Sequence, residues 1–303
     1  MKNHLANLKS LPYGGASCVL DPDLDLVVQK SIIACAKNSS INDTDIQDEF
    51  VKTYFDWIQQ TKLNCFQNLD QFEILSYSNG TTEGFDKFYI NNNQSRFRVF
   101  RGEYMYHCAI WKSSFPDWMY IEDAPLAKGD AVLISTPFSD TGNVHPKLLE
   151  TLDICADLAV PVLIDCAFVG ICGKIEIDFG HPAITDITFS LSKTFPVANL
   201  RIGMRCRRVD NDDGLLVHQK TNYTNRLACA VGLDLINQYS VDYNYEKWRD
   251  CQLQFCQKLQ VTPSNSVIFG LGNDTWSAYN RGNQSNRLCF SKWYHRSHIP
   301  GND

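Results

Sequence analysis

Short apolar segments alternate with amphipathic helical segments along the first two thirds of the chain, and this alternation is the feature that most constrains the fold. The segments Asp130–Ser135, Val162–Asp165 and Ile202–Arg207 have the length and composition of buried strands. Helical periodicity separates them, as at Pro146–Leu158. The pattern predicts an α/β fold with a mostly parallel, mixed sheet flanked by helices.

The remaining elements follow the same reasoning until about residue 210, where the character of the chain changes. Further helices are predicted at 23–37, 46–61 and Glu83–Asn91, and further strands at Phe72–Tyr77, Phe97–Phe100 and Asp186–Ser190. Beyond residue 210, helices at Leu227–Tyr239 and Trp248–Leu259 and short strands at Val267–Leu271 and Arg287–Ser291 indicate a small α+β lobe. We therefore expect a large domain over 1–210 and a small C-terminal domain over 211–303.

Composition excludes several classes of protein. The formal net charge of −6 gives no electrostatic support to a nucleic-acid partner. No segment approaches the length of a membrane span, and residues 1–10 lack the apolar core of a signal peptide. The 12 cysteines have no zinc-site spacing, so we expect no metal site and a cytoplasmic protein with reduced, buried thiols.

Polar residues stand at the ends of the predicted strands. Ser78, Ser135, Asp165 and Ser190 each fall at or just beyond the end of an apolar run. Ligands bind to α/β sheets at the carboxyl ends of the strands. The sequence therefore predicts one site formed by these strand ends.

The segment around Lys193 indicates the chemistry of that site. A strand ends in Asp165, a second strand leads into the sequence Ser190-Leu-Ser-Lys193, and Arg201 follows eight residues later. An acid, an amine and a guanidinium suit a cofactor with a protonated ring nitrogen, an aldehyde and a phosphate. Pyridoxal 5′-phosphate has all three groups.

These motifs resemble those of the aspartate aminotransferase superfamily, the fold-type I pyridoxal-phosphate enzymes. The resemblance is firm over 75–210 and weaker over 211–303. It implies that Lys193 forms the Schiff base with the cofactor and that Asp165 bonds the pyridine nitrogen, and these two are the catalytic residues. It also implies that Ser190 and Arg201 bind the phosphate.

Further positions match the same family. The triplet Gly80-Thr81-Thr82 resembles its phosphate-binding turn, where backbone N–H groups at a helix start face an anion. Tyr104 stands where the family carries an aromatic residue that stacks on the pyridine ring. Tyr106 is a near competitor for that role, and packing in the core is the alternative for both.

Two positions depart from the family pattern, and one C-terminal arginine matches it. The segment 136–142 resembles the loop Asn-Pro-x-Asn-Pro-Thr-Gly, but Ser139 replaces the second Asn and Phe168 replaces the Tyr that bonds the ring hydroxyl. Arg287 resembles the arginine that binds a substrate α-carboxylate, with a surface strand arginine as the alternative. The implied cofactor site comprises Gly80, Thr81, Thr82, Tyr104, Ser139, Asp165, Phe168, Ser190, Lys193 and Arg201, with Arg287 for the substrate.

The resemblance implies a homodimeric enzyme that acts on an amino acid or a related amine, and we expect aminotransfer first. The same site chemistry serves lyases, decarboxylases and cyclases of specialised biosynthetic pathways, and a non-catalytic relative is a further alternative. A nucleotide-binding protein is disfavoured because neither Gly-x-Gly-x-x-Gly nor Gly-x-x-x-x-Gly-Lys-Ser/Thr occurs.

Overall fold

A computed structural model of the chain describes residues 15–38, 45–107, 117–210, 213–280 and 285–294. Its helices are α1 (Pro22–Lys37), α2 (Ile46–Gln59), α3 (Thr81–Asn91), α4 (Leu148–Asp157), α5 (Gly214–Lys220), α6 (Arg226–Gln238) and α7 (Tyr243–Leu259). Its strands are β1 (Cys65–Gln67), β2 (Ile74–Asn79), β3 (Arg96–Val99), β4 (Trp118–Tyr120), β5 (Asp130–Ser135), β6 (Val162–Asp165), β7 (Glu176–Asp178), β8 (Ile184–Ser190), β9 (Ile202–Arg207), β10 (Thr262–Pro263), β11 (Phe269–Gly272) and β12 (Asn286–Cys289).

The large sheet has the order β2-β9-β8-β6-β5-β3-β4. Strand β9 is antiparallel to β2 and β8, and every other neighbouring pair is parallel. Every residue of β5 and β6 is buried. Strands are this apolar when helices cover both faces of a parallel sheet. The predicted α/β class with a mostly parallel sheet is confirmed.

Alternate residues of the central strands pack on opposite faces of the sheet. Val132 and Ile134 belong to a hydrophobic core that includes residues of α1, α2, α4 and α6. Ala131 and Leu133 belong to a second cluster with Phe85 of α3 and other aromatic residues. This is the two-residue period of a strand. It places Ser135, two residues beyond Leu133, on the α3 face.

The register of the parallel strands aligns the strand ends. Ser135 of β5 lies beside Asp165 of β6, and Asp165 lies beside Thr188 of β8. Because the carboxyl ends of parallel strands meet at one edge, these three polar side chains are neighbours on the same face of the sheet.

A small antiparallel sheet of order β10-β11-β12 packs with α7, which confirms the predicted C-terminal α+β lobe. The side-chain amide of Gln252 donates to the carbonyl oxygens of Ser264, Ser266 and Phe269 at 3.1, 2.8 and 2.6 Å. The division of the chain at residue 210 stays a prediction. Within the described residues, α6 packs into the core of the large sheet although it follows residue 210. The core of the small lobe contains Tyr245 and later residues, and it also contains Val19, which precedes residue 210.

Several short elements differ from the sequence predictions. Strands β1, β4 and β7 were not expected, because each has three residues and forms only through its pairing partner. Helix α5 (Gly214–Lys220) occupies a segment for which no helix is predicted. The carboxylate of Asp213 caps it by accepting from the amides of Leu215 and Leu216 at 3.2 and 3.3 Å. Helix α3 starts at Thr81, two residues before the predicted start.

Two further properties concern the state of the cysteines and the length and polarity of the helices. The 11 cysteines of the described ranges are free thiols, seven of them buried. In the part of the chain that the structure describes, every helix is too short or too polar to cross a membrane.

Candidate active site

A cavity of about 300 Å³ opens at the carboxyl edge of the parallel strands. This is the edge at which the strand ends predict a site. The structure brings nearly all of the predicted site residues to its wall. They are Thr81, Thr82, Tyr104, Ser139, Asp165, Phe168, Ser190, Lys193, Arg201 and Arg287. Gly80 lies directly behind this wall, against the side chain of Arg201.

Asp165, the last residue of β6, is buried at the floor of the cavity with 5% of its surface exposed. Its Oδ1 accepts from the amide of Ala167 at 3.1 Å and from the hydroxyl of Thr188 at 3.4 Å. Burial raises the pKa of this carboxyl to about 7, although these hydrogen bonds and the charge of Lys193 oppose the rise. A basic or cationic group bound beside Asp165 would hold it in its ionised form.

Lys193 follows β8 and extends into the same cavity. Its Nζ donates to the carbonyl oxygen of Ala16 at 2.7 Å. Burial lowers the pKa of this amine. Desolvation favours the neutral form of a lysine, and the neutral form is the nucleophile.

Arg201 lines the cavity, and two glycines pack behind it. The guanidinium Nη2 of Arg201 donates to the carbonyl oxygen of Asn79 at 3.2 Å and to the hydroxyl of Thr82 at 3.0 Å. A Cβ atom at Gly80 would lie 2.4 Å from the same Nη2, and a Cβ atom at Gly203 would lie 2.8 Å from the Cα of Gly80. The two glycines therefore permit the close approach that places this cation at the start of α3.

Anion-binding groups line the same cavity. Thr81 and Thr82 form the first turn of α3, and the N-cap residue, a glycine, provides no side-chain capping bond. The first N–H groups of a helix and its dipole favour a bound anion. Ser190 and Ser192 also line the cavity, with their hydroxyl oxygens 2.9 Å apart. One guanidinium, four hydroxyl groups and a helix start suit a phosphate.

Tyr104 lies at the mouth of the cavity with 43% of its surface exposed. Its ring stacks on that of Tyr106 at 6.0 Å with an interplanar angle of 14°. The hydroxyl of Tyr106 donates to Asp86 at 2.8 Å, which holds that ring behind Tyr104. Of the two tyrosines, Tyr104 is the one placed on the cavity wall.

Arg287, on β12, is buried with 1% of its surface exposed. Its Nη1 donates to the carbonyl oxygen of Ser139, and its guanidinium lies 4.3 Å from the ring centroid of Phe269. Phe168 packs edge-on against the same ring at 5.6 Å. These contacts place the arginine on the cavity wall, and so they disfavour the alternative of a surface strand arginine.

Glu103 is a site feature that motif matching does not find. It is 6% exposed and bonds both the backbone amide and the hydroxyl of Ser135. The sequence offers one signal, an acid directly before the aromatic candidate Tyr104, but an isolated Glu is ordinarily a solvated residue. Glu103 and Ser135 are 32 positions apart in the sequence, so no local pattern indicates that they meet.

Neither the protein-family models nor the curated proteins include a match to this sequence. Solved structures do match. Tyrosine aminotransferase from Leishmania infantum has a TM-score of 0.68 at 12% identity, over 95% of this chain and 92% of that chain. The probable N-succinyldiaminopimelate aminotransferase from Thermus thermophilus has a TM-score of 0.67 at 12% identity, over 93% and 90%.

A third match is the pyridoxal-phosphate-bound C–S lyase from Staphylococcus hominis, with a TM-score of 0.64 at 12% identity over 96% of this chain and 90% of that chain. This chain has the fold of the fold-type I pyridoxal-phosphate enzymes. The match extends over both the large sheet and the C-terminal lobe, where the sequence resemblance is weaker. Identities of this size establish the fold, and the function rests on the site itself.

Proposed function

We propose that the protein is a pyridoxal 5′-phosphate-dependent enzyme that transfers the amino group of an amino acid or a related amine. The observation that carries the proposal is the meeting of Lys193, Asp165 and Arg201 in one cavity of about 300 Å³. These groups match the three functional groups of the cofactor, and the similar structures include aminotransferases and a protein bound to this cofactor.

The residues of the cavity fit the cofactor. The space that a Cβ atom at Gly80 would fill is taken by the Arg201 guanidinium, so the cation lies at the helix start where a phosphate would bind. Asp165, whose pKa burial raises to about 7, would receive the pyridine nitrogen. Tyr104 offers a ring face at the mouth, and Lys193 lies on the wall of the same cavity.

When bound, pyridoxal phosphate supplies an electron sink for the negative charge that develops at a substrate carbon. The chain supplies the remaining functions. Asp165 holds a proton on the pyridine nitrogen, Arg201 positions the phosphate, and Arg287 orients a substrate carboxylate. The Lys193 amine, made less basic by burial, accepts and returns the proton of the substrate carbon.

A lyase reaction is the second candidate, and one observation favours it. The cavity wall carries Ser139 and the apolar Phe168, which packs on Phe269 and has no hydroxyl group to donate to a cofactor. Fewer donors to the ring oxygen change the electronic balance on which reaction choice depends. The matching C–S lyase shows that this fold hosts such proteins as well as aminotransferases.

We further propose that the enzyme is a homodimer that works in the cytoplasm on an amino-acid substrate. The family resemblance supports the dimer. The 11 free cysteines of the described residues support a reducing compartment.

Borohydride reduction of the purified protein with pyridoxal phosphate tests the proposal. Mass spectrometry of the peptides should place the pyridoxyl group on Lys193, and Lys193→Ala should remove the label. Lys174→Ala, at an exposed lysine, is the control and should keep it. Amino acids and α-keto acids should then be screened for exchanged amino groups. Label on another lysine, or no label, contradicts the proposal.

A further inference from the structure

Glu103 and Asp165 are two buried carboxyl groups that share one hydroxyl group between them. The Oγ of Ser135 lies 2.6 Å from Oε2 of Glu103 and 3.5 Å from Oδ2 of Asp165. The backbone amide of Ser135 also donates to Oε1 of Glu103 at 2.7 Å. Glu103 is thus firmly bound to the residue that faces Asp165 across β5 and β6.

Two negative charges so close together in a buried region are unfavourable. Burial raises the pKa of each carboxyl to about 7, and the charge of Asp165 adds to the rise for Glu103. Interacting carboxyls of this kind titrate as a pair, in two separated steps. Near neutral pH the pair therefore carries one proton for much of the time.

The hydroxyl of Ser135 has one proton to donate. When Glu103 is ionised, that proton goes to Glu103, the nearer acceptor, and Asp165 receives none from Ser135. When Glu103 is protonated, Glu103 donates to the Ser135 oxygen, and the hydroxyl turns to Asp165. Only the second arrangement adds a hydrogen-bond donor to the ionised form of Asp165.

Three other titratable groups near the pair do not change charge near neutral pH. Burial raises the pKa of the Tyr89 hydroxyl and of the Cys166 thiol, and it lowers the pKa of the His107 ring to about 3. These three groups are neutral in this range. Lys193, which follows β8 on the cavity wall, is a cation whose charge acts on Asp165.

We propose that Glu103 is a positioning residue that controls, through the hydroxyl group of Ser135, which group holds the proton between Asp165 and the pyridine nitrogen of the cofactor. The proposal rests on the proposed function. Protonated Glu103 stabilises Asp165 as a carboxylate and leaves the proton on the nitrogen. Ionised Glu103 removes the Ser135 donor and adds a second negative charge, which makes Asp165 more basic and draws the proton to it. The proton moves within one hydrogen bond, and Glu103 releases its own proton to solvent.

The ¹⁵N chemical shift of pyridine-labelled pyridoxal phosphate bound to the full chain tests the proposal. The wild-type signal should move toward the unprotonated value in a step near the Glu103 pKa of about 7. Glu103→Gln keeps the size of the side chain and the hydrogen bonds to Ser135 but cannot ionise, so the step should vanish. Glu122→Gln, at an exposed acid, should retain it. A wild type without the step, or a step that survives in Glu103→Gln, overturns the proposal.

A second measurement separates this proposal from the proposed function. In the cofactor-free protein, the ¹³C signal of the Asp165 carboxyl should titrate in two steps separated by about one pH unit or more. Glu103→Gln should leave a single step at lower pH, and Ser135→Ala should reduce the separation. If the protein fails to bind pyridoxal phosphate, the proposed function is rejected. The carboxyl titration of the cofactor-free protein then still decides whether Glu103 and Asp165 are coupled. If neither variant changes the titration of Asp165, the coupling between Glu103 and Asp165 is rejected.

Discussion

Gly80 leaves room for Arg201, because a Cβ atom at position 80 would lie 2.4 Å from the Nη2 atom of that arginine. The φ angle of Gly80 is +71°, a value that residues with a Cβ atom rarely adopt. Gly80→Ala should therefore displace the guanidinium and weaken the binding of pyridoxal phosphate by about 10-fold or more, since one charge-assisted bond is lost. Absorbance or fluorescence titration measures the dissociation constant.

Gly129 provides the matched control for this change. Its φ angle is +91°, and among the described residues no heavy atom apart from those of Gly129 and its two chain neighbours lies within 4 Å of the position of its Cβ. Gly129→Ala should lower the free energy of unfolding by about 1–3 kcal/mol through backbone strain alone. Its cofactor affinity should stay at the wild-type value. Equal losses of affinity in both variants would show that strain, rather than the displaced arginine, is responsible.

Asp165→Asn should keep the cofactor but lose most turnover. The amide cannot hold a positive charge on the pyridine nitrogen, so the interaction that stabilises the transition state is lost. We expect kcat to fall by about 10²-fold or more, measured at saturating cofactor. A variant with wild-type turnover would make this acid purely structural.

Stability should depend on pH through the same carboxyl. An unfolded Asp ionises at about pH 4, whereas burial raises the pKa of folded Asp165 to about 7. The folded state then binds the extra proton between these values, so the free energy of unfolding falls as the pH rises from about 4 to about 7. In denaturant titrations of the cofactor-free protein, the free energy of unfolding of Asp165→Asn should rise relative to that of the wild type as the pH increases across this window. A difference that is constant with pH would contradict the raised pKa.

Arg287→Lys should raise KM for substrates that carry a carboxylate. Lys keeps the charge but loses the forked geometry of the guanidinium and its stacking on Phe269. The loss of about 1.5–3 kcal/mol corresponds to about 10- to 150-fold in kcat/KM. Steady-state kinetics with an amine that lacks the carboxylate provide the control. If both substrates lose equally, the arginine supports the lobe instead of the substrate.

Sedimentation should show a dimer. Met105 and Tyr223 are large side chains with 69% and 79% of their surfaces exposed, and Met105 also lines the cavity. An interface near the cavity mouth would cover Met105, and Tyr223 is a second exposed aromatic side chain that a subunit interface would cover. Tyr223→Asp should therefore shift the population toward monomer. Val209→Asp, also at an exposed position, is the control for the effect of an added negative charge alone. Full activity in a wild-type monomer would exclude this assembly.

The sequence predicts the central strands well because their composition alone identifies them. Strands β5, β6 and β9 have the predicted bounds, and β5 and β6 are compact, mainly apolar segments with every residue buried. Within the part of the chain that the structure describes, the short strands β1 and β7 pair only with each other, through Cys65–Gln67 and Glu176–Asp178. Pairing between segments more than 100 residues apart has no local signal.

The site residues divide in the same way, into those that have a local sequence signal and those that lack one. Lys193, Asp165 and Arg201 are recognisable because their chemical types occur at fixed places relative to strands, and the structure brings them to one cavity. Their roles stay predictions. Glu103 has no such signal, because its importance comes from a burial and a Ser135 contact that the linear sequence does not specify.

The alignment of Ser135, Asp165 and Thr188 across three strands has a consequence for how this chain can vary. Side chains along a strand alternate between faces, so a deletion of one residue within β6 would turn Asp165 from the α3 face to the opposite core. Length changes in the connection between α4 and β6 would leave this alignment intact. Insertions and deletions should therefore be tolerated between these elements and eliminated within them, even though both kinds of site lie within a few residues of each other.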